Sequence, residues 1–320
     1  MIPAVSATTA AGSAGLTYQW IAAGQGGSLY TSTSTTAASW TSQTSSFGTT
    51  NIYGIASNGI SQFVAVGETG KLATSPDGIV WTQRTSSFGT DNILEIAYGN
   101  GYWVAVGDNA KVAYSTDGVT WTQKTTGITG SVYSVHWGNS LWVIGNSTGS
   151  FYTATDPTGT WTSRTSTLSN LSANGIHYFK GQSIWVAGME GAATTGVLAS
   201  STDGTTWTAR NSTWINALPV LMGIASNATT VVISGNTNVL TPTYDFQTST
   251  NGTTFTDRTP ANTTKNNTFG ASDDADRFCF IGGANVQTSP NGTTWTLQSD
   301  IAVGFQATAI CHSSGVPAIR

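Results

Sequence analysis

Residues 71–110 read KLATSPDGIVWTQRTSSFGTDNILEIAYGNGYWVAVGDNA, and residues 111–148 repeat the pattern as KVAYSTDGVTWTQKTTGITGSVYSVHWGNSLWVIGNST. In each copy an aromatic residue closely follows an Asp-Gly turn signal. Along the whole chain this aromatic position recurs at Trp40, Trp81, Trp121, Trp161, Trp207, Phe255 and Trp295. The spacing is about 40 residues, with longer steps before Trp207 and Phe255, and such a period predicts seven copies of one supersecondary unit.

Four short strands are predicted in each repeat. The first strand is half polar, whereas the second is continuously apolar, as in residues 63–66 (FVAV) and 103–106 (WVAV). A continuous apolar run indicates a strand that is buried on both faces, as expected of a middle strand between stacked sheets. A glycine follows this run, where a tight hairpin needs either a positive φ or a close backbone approach. The third strand leads into the turn signal, and the fourth begins at the aromatic residue.

The two ends of the chain distinguish a closed propeller from an open β-solenoid. The first repeat, residues 18–44, has its second to fourth strands but no first strand, whereas residues 305–313 (FQATAICHS) have the pattern of a first strand. If this C-terminal strand joins the N-terminal blade, the ring closes without an open edge. We therefore predict an all-β fold: a seven-bladed β-propeller with four antiparallel strands per blade. It is expected to cover residues 16–320 and to follow a flexible N-terminal arm at 1–15.

Composition excludes several classes of function. Only 8% of the residues are charged, and the net charge is -4 with a pI near 5.2, so no basic surface is available for nucleic acid or an anionic membrane. We expect no signal peptide, no membrane span and no bound cofactor, because the matching apolar and glycine-rich motifs do not occur. Cys279 and Cys311 fall in apolar strand patterns, so we expect buried thiols rather than a disulfide framework.

The turn signal has a local physical explanation. An Asp or Asn side chain in such a turn accepts a hydrogen bond from its own backbone two residues on. The following Gly takes the left-handed conformation, the preceding Ser ties the turn shut, and the aromatic ring packs beneath it. Five residues are therefore predicted to be structural: Asp77, Asp117, Asp203, Asn251 and Asn291.

This repeat resembles the Asp-box, or bacterial neuraminidase repeat, of sialidase-like propellers, although Asp and Gly are adjacent here and the turn is one residue shorter. In that family the repeats are structural, while catalysis uses three arginines, a Tyr/Glu pair and an Asp. Most of the arginines here share one repeat position and are therefore spread around the ring. They are Arg84, Arg164, Arg210 and Arg258, with Lys124 at the same position. Because these cations cannot converge on one ligand, we predict that the protein is not an enzyme.

The two longer repeats contain the candidate binding site. Their connections between the second and third strands, at 189–196 and 236–244, are expected to share a face with the inter-blade loop at 211–216. Aromatic and polar side chains placed together in this way suit a sugar, which stacks on a ring and hydrogen-bonds through its hydroxyls. The candidate ligand-binding residues are Glu190, Trp214, Asn236, Asn238 and Tyr244. The alternative is that Trp214 fills a core position that apolar residues occupy in other blades.

Two groups of residues have both a metal-binding interpretation and a plainer one. His136 and His177 occupy matching positions in consecutive first strands, with His312 offset by one, so two of them could face each other in the channel. The favoured interpretation is coincidence within polar inner strands. The acidic turn at 273–276 is interpreted as a solvated loop rather than a calcium site. We therefore predict no metal site.

Propellers with this repeat, low charge and a Ser/Thr/Gly-rich N-terminal segment resemble proteins of tailed bacteriophage particles. The resemblance implies a non-enzymatic virion surface protein, either a head decoration or a tail and receptor-binding component. Its expected partners are other virion proteins, copies of itself or a host-surface glycan, and its expected location is the virion. One alternative is an extracellular, lectin-like propeller that binds carbohydrate. A sialidase-type glycosidase is the third hypothesis.

Overall fold

The computed structural model describes residues 20–34, 36–164, 166, 168, 171–191, 197–210, 220–236, 244–258, 269–272, 277–282 and 284–313. The predicted arm at 1–15 lies outside these residues. In the described part, the chain forms short strands and four 3-10 helices: Gln25–Gly27, Glu68–Gly70, Asp108–Ala110 and Lys180–Gln182. None of its helices is long and apolar enough to cross a membrane.

The strands of the first four blades are three to seven residues long. They are β1 (Trp20–Gly24), β2 (Leu29–Ser32), β3 (Thr41–Gln43), β4 (Ile52–Ser57), β5 (Phe63–Gly67), β6 (Leu72–Ser75), β7 (Thr82–Arg84), β8 (Ile93–Gly99), β9 (Tyr102–Gly107), β10 (Val112–Ser115), β11 (Thr122–Lys124), β12 (Val132–Gly138), β13 (Leu141–Asn146), β14 (Phe151–Ala154) and β15 (Thr162–Arg164).

The remaining strands continue the same order. They are β16 (Leu171–Phe179), β17 (Ile184–Gly191), β18 (Val197–Ser201), β19 (Thr208–Arg210), β20 (Val220–Ser226), β21 (Val231–Asn236), β22 (Tyr244–Ser249), β23 (Thr256–Arg258), β24 (Phe269–Ser272), β25 (Phe278–Gly282), β26 (Asn285–Ser289), β27 (Thr296–Leu297) and β28 (Ala307–His312).

The strands form seven four-stranded antiparallel sheets, which are the blades of a propeller. Blade one has the order β28-β1-β2-β3, and each later blade uses four consecutive strands, from β4–β7 in blade two to β24–β27 in blade seven. The first strands of neighbouring blades contact each other around a complete ring, in the order β4, β8, β12, β16, β20, β24, β28 and back to β4. The predicted seven-bladed propeller is therefore confirmed.

The ring is closed by the C-terminal strand, as predicted. In the ladder between β1 and β28, Trp20 pairs with His312, so the two ends of the described chain share one blade. The Ser57 hydroxyl of blade two donates to the backbone carbonyl of Ser313, 3.2 Å away. The C-terminal strand thus contacts both the blade it completes and the next blade.

The apolar core lies between the blades. All residues of β5 and β25 are buried, in agreement with the prediction of a middle strand that packs on both faces. Across the contact between blades four and five, the rings of Phe151 and Trp207 stack with centroids 4.0 Å apart and an interplanar angle of 7°. Both cysteines are buried free thiols, as expected.

The glycine after the second strand is required by a close backbone approach, not by a positive φ. Gly107 is extended, with φ −176°, but a Cβ atom there would lie 2.1 Å from the carbonyl oxygen of Asn92 in the preceding inter-blade loop. The left-handed residues come just after it, at Asn109 (φ 55°) and Ala110 (φ 57°). Of the two explanations that the sequence left open, packing is the correct one here.

Candidate functional site

Each repeated turn is held together by its own side chains. In blade two, Asp77 Oδ1 accepts hydrogen bonds from the backbone N–H groups of Ile79 (2.8 Å) and Val80 (2.9 Å). Ser75 Oγ accepts from the backbone N–H of Gly78 at 2.8 Å and donates to Asp77 Oδ1. The same pattern of bonds surrounds the other predicted turn residues, Asp117, Asp203, Asn251 and Asn291.

Asn and Asp make the same backbone hydrogen bonds in these turns. Asn251 accepts from the backbone N–H groups of Thr253 and Thr254, both at 2.9 Å, as the aspartates do in their turns. Where the residue is Asp, the same bonds stabilise the ionised form. Backbone hydrogen bonds from Thr120 and then Val119 lower the pKa of Asp117 to about 2.

The predicted ligand-binding residues lie at one end of blades five and six, as far as they are described. Asn236 ends β21 and pairs with Tyr244, the first residue of β22. Glu190 lies near the end of β17, where it pairs with Ser172. Trp214 and Asn238 lie outside the described residues, so the complete cluster stays a prediction.

The Glu190 side chain is hydrogen-bonded within its own blade. Its carboxylate accepts a hydrogen bond from the side-chain amide of Asn174 in β16. This end of the propeller, the loop face, carries the connections between second and third strands (such as 68–70 and 108–110) together with the inter-blade loops. Backbone bonds join the two kinds of segment: Glu68 N–H donates to Asn51 O at 3.0 Å, which supports the expectation that they share a face.

The cations at the shared repeat position lie on the outer strands of different blades. Arg84 ends β7, and its Nε donates to Thr74 Oγ1 of the third strand at 2.9 Å. Equivalent bonds are made by Arg164, Arg210 and Arg258. In blades one and seven the position holds Gln43 and Gln298, whose amides also donate to a third-strand threonine, at 2.9 and 2.8 Å. These residues brace the outer strands rather than converging on one ligand.

Two histidines meet at the innermost strands. His136 and His177 occupy the same ladder position in β12 and β16, opposite Val143 and Val186 respectively. Their ring centroids lie 4.7 Å apart, and His177 Nε2 is 2.7 Å from the hydroxyl oxygen of Ser226 in blade six. The register thus brings together two residues whose matching positions were interpreted from the sequence as a coincidence.

The environment of the pair favours neutral imidazoles. Burial lowers the pKa of His177 to about 4, and burial together with the neighbouring His177 ring lowers the pKa of His136 well below its usual value. Neutral imidazole is the metal-binding form, but metal sites in proteins generally use three or four ligands. In the part of the chain that the structure describes, no three His, Cys, Asp or Glu side chains come together as a metal site. The acidic turn at 273–276 lies outside that part.

A groove in blade two was not predicted from the sequence. This blade-two groove has a volume of about 500 Å³ and is lined by Ser61, Gln62, Thr74, Pro76, Val80 and Arg84, among others. It lies between the turn that joins β4 to β5, the turn that joins β6 to β7, and the outer strand β7. The signal in the sequence was the pair Ile79-Val80, which stands where three other repeats have Thr-Thr.

No protein-family model matches this chain, and no curated protein matches it. Solved structures do match its fold. A YCF48 protein bound to a D1 peptide has a TM-score of 0.60 at 16% identity, over 79% of this chain and 83% of its own. Virginiamycin B lyase from Staphylococcus aureus gives 0.65 at 11% identity, over 84% and 94%. A xyloglucanase from Xanthomonas campestris gives 0.65 at 12% identity, over 93% and 52%. These likenesses establish the propeller fold, which serves both enzymes and binding proteins.

Proposed function

We propose that this protein is a non-enzymatic docking module on the surface of a tailed-bacteriophage particle, as a head decoration or as a tail and receptor-binding component. The context rests on the resemblance of its Ser-x-Asp/Asn-Gly turns to Asp-box repeats, and on its low charge and Ser/Thr/Gly-rich N-terminal segment. Its partners are then other virion proteins or further copies of the chain.

The observation that carries the docking role is that the fold itself uses the repeated ionisable side chains of the turns and the outer strands. The turn carboxylates accept hydrogen bonds from backbone N–H groups of their own turns, as at Asp203, whose Oδ1 accepts two at 2.8 Å. The outer-strand arginines are anchored to neighbouring hydroxyls in separate blades, and the channel imidazoles are buried and neutral. General acid–base chemistry needs a positioned group with a pKa near the working pH. In the described part of the chain, the turn aspartates and the buried channel histidines therefore do not supply such a group.

Carbohydrate binding at the loop face is a second proposal, which one specific observation supports. Asn236 and Tyr244 are neighbours across the β21–β22 ladder, at the loop-face end where blade six is enlarged. Asn supplies an amide that hydrogen-bonds hydroxyls, and Tyr supplies a ring for stacking, which are side-chain types suited to a sugar. In this form the docking module recognises a host-surface glycan.

The docking proposal is tested on purified phage particles. Purified virions from a phage that encodes this chain are analysed by quantitative mass spectrometry and by immunogold electron microscopy. We expect a defined copy number and surface labelling, and we expect virions without the gene to lose adsorption or particle stability. Absence of the protein from washed virions contradicts the virion role. Saturable turnover of a glycoside or lactone panel by the purified protein contradicts the non-enzymatic role.

A glycan array separates the second proposal from the first. Binding of the labelled protein to a defined glycan, lost on substitution Tyr244→Ala but not Tyr152→Ala, supports a sugar site at the loop face. A protein that is present in virions but binds no glycan has only the docking role.

A further inference from the structure

We propose that the blade-two groove binds an extended peptide segment of a partner protein, in which an apolar side chain stands next to an Asp or Glu side chain. The inference rests on the proposed docking function and specifies the surface through which a protein partner is held. Its basis is the juxtaposition of Val80, Gln62 and Arg84 around one depression of about 500 Å³.

The apolar side chains at this groove are not required by the fold. Val80, which lines the groove, and its neighbour Ile79 are 62% and 46% exposed, although the backbone N–H groups of their turn make the same bonds as in the turns of blades five, six and seven. In those three blades the two positions are threonines: Thr205-Thr206, Thr253-Thr254 and Thr293-Thr294. Thr has nearly the same shape as Val, and three other blades have Thr at these positions. The geometry of the turn therefore does not explain why blade two lacks the hydroxyl groups.

Further apolar surface surrounds the same depression. Ile60, next to the lining residue Ser61, is 64% exposed, and Val119 in the adjoining turn of blade three is 36% exposed. The side-chain amide of Gln62 donates to the backbone carbonyl of Asp117 at 3.0 Å, which draws the turn of blade three to the edge of the groove. Clustered exposed apolar residues with a polar rim are typical of protein-binding surfaces.

Arg84 gives the groove its charge preference. Its Nε is held by Thr74 Oγ1 at 2.9 Å, and none of the described Asp and Glu residues forms an ion pair with it. A guanidinium that is anchored through Nε presents its terminal N–H groups in a geometry suited to a carboxylate. Arg84 is the charged residue among the lining residues, and the Asp77 carboxylate of the adjoining turn is held by the backbone N–H groups of that turn. The charge that Arg84 contributes is complementary to an acidic ligand.

The shape and chemistry favour a peptide over a sugar. None of the described residues that line the groove is aromatic, so they offer a sugar no stacking surface. Among the described strands, the adjoining β7 is the outermost of its sheet and pairs with β6 alone, and its other edge can accept an added extended strand. Main-chain bonds along such an edge, with side chains placed in an adjacent pocket, are an established mode of peptide recognition.

The repeats themselves supply structure-preserving variants. Ile79→Thr with Val80→Thr recreates the turn of blades five to seven. Arg84→Gln recreates blades one and seven, where Gln43 and Gln298 make the equivalent bond to the third strand. Arg210→Gln in blade five is the matched control, because it removes the same charge from the same repeat position away from the groove. All three proteins are expected to melt within a few degrees of the wild type.

The test uses an array of ten-residue peptides with acetylated N-termini and amidated C-termini, so that only side chains supply carboxylates. We expect the wild type and Arg210→Gln to select peptides in which an apolar residue adjoins Asp or Glu. We expect each groove variant to bind the selected peptides at least tenfold more weakly in solution. Hydrogen exchange of the wild type with the best peptide should show protection at 76–84, a readout that remains valid if a variant fails to fold.

The inference is overturned by selection without an acidic preference, by equal binding of the groove variants, or by protection elsewhere on the propeller. Selection of no peptide at all also overturns it. None of these results bears on the presence of the protein in virions. The proposed peptide site and the proposed docking function can therefore be contradicted independently.

Discussion

Trp20 and His312 pair across the β1–β28 ladder, and their rings pack with centroids 4.5 Å apart and an interplanar angle of 57°. The first strand of the described chain and the last are thereby joined in one blade. Burial lowers the pKa of His312 to about 4, so the imidazole that packs on Trp20 is neutral at pH 7. The contact links the integrity of the ring to the C-terminus of the chain.

Deletion of residues 303–320 should therefore prevent soluble expression. Without β28, blade one has three strands, and the buried face of β1 and the inner edge of the ring are exposed. Expression of the truncated and full-length chains, followed by size-exclusion chromatography, tests this. A truncated chain that elutes as a folded monomer would show that closure is dispensable.

The turn aspartates should be replaceable by asparagine but not by alanine. Asp203→Ala removes the acceptor of two backbone N–H groups and should lower the free energy of unfolding by about 0.5–1.5 kcal/mol. Asp203→Asn retains that acceptor, as Asn251 does in blade six, and should change stability by less than about 0.5 kcal/mol. Urea titrations of the purified proteins measure both. Equal losses in the two variants would mean that the charge, not the acceptor, stabilises the turn.

Replacement of Gly107 should be destabilising even by alanine. The added Cβ would meet the backbone carbonyl of Asn92 at 2.1 Å, and a backbone atom cannot rotate away as a side chain can. Overpacking of this kind costs about 1–3 kcal/mol. Thermal unfolding of Gly107→Ala should show a clear decrease in Tm. An unchanged Tm would indicate that the inter-blade loop shifts freely to accommodate a methyl group.

The buried histidines should make the protein sensitive to mild acid. For His177 the pKa is about 4 when folded and about 6.5 when unfolded, so the unfolded chain binds protons first as the pH falls. The part of the stability that depends on neutral His177 is therefore complete above pH 6.5, is lost progressively down to about pH 4, and changes no further below it. One such histidine contributes about 3 kcal/mol to the total loss.

Urea unfolding at a series of pH values measures this effect. The double variant His136→Gln/His177→Gln should lose less stability between pH 6.5 and 4 than the wild type, while the part due to His312 remains. An identical pH dependence in the two proteins would show that these imidazoles take up protons without unfolding.

Several features could be predicted from the sequence because their causes are local or repeat along the chain. The Ser-x-Asp/Asn-Gly turn is determined by side chains within a few residues of one another, and its bonds at Asp77 and Asn291 are those expected. The number of blades follows from the period, and closure follows from the first strand that is missing at one end and present at the other. Periodicity therefore determined the fold without reference to any distant contact.

The tertiary structure determined which residues contact one another between strands and between blades. Whether Gly107 needed space or a positive φ depended on the inter-blade loop that passes over it. Whether His136 reached His177 depended on the stagger of neighbouring inner strands. The blade-two groove combines residues from two separate turns and an outer strand, and the sequence showed only that Ile79 and Val80 departed from the repeat. A repeat determines which positions are equivalent, but the twist and stacking of the sheets determine which side chains are neighbours, and binding surfaces depend on neighbours.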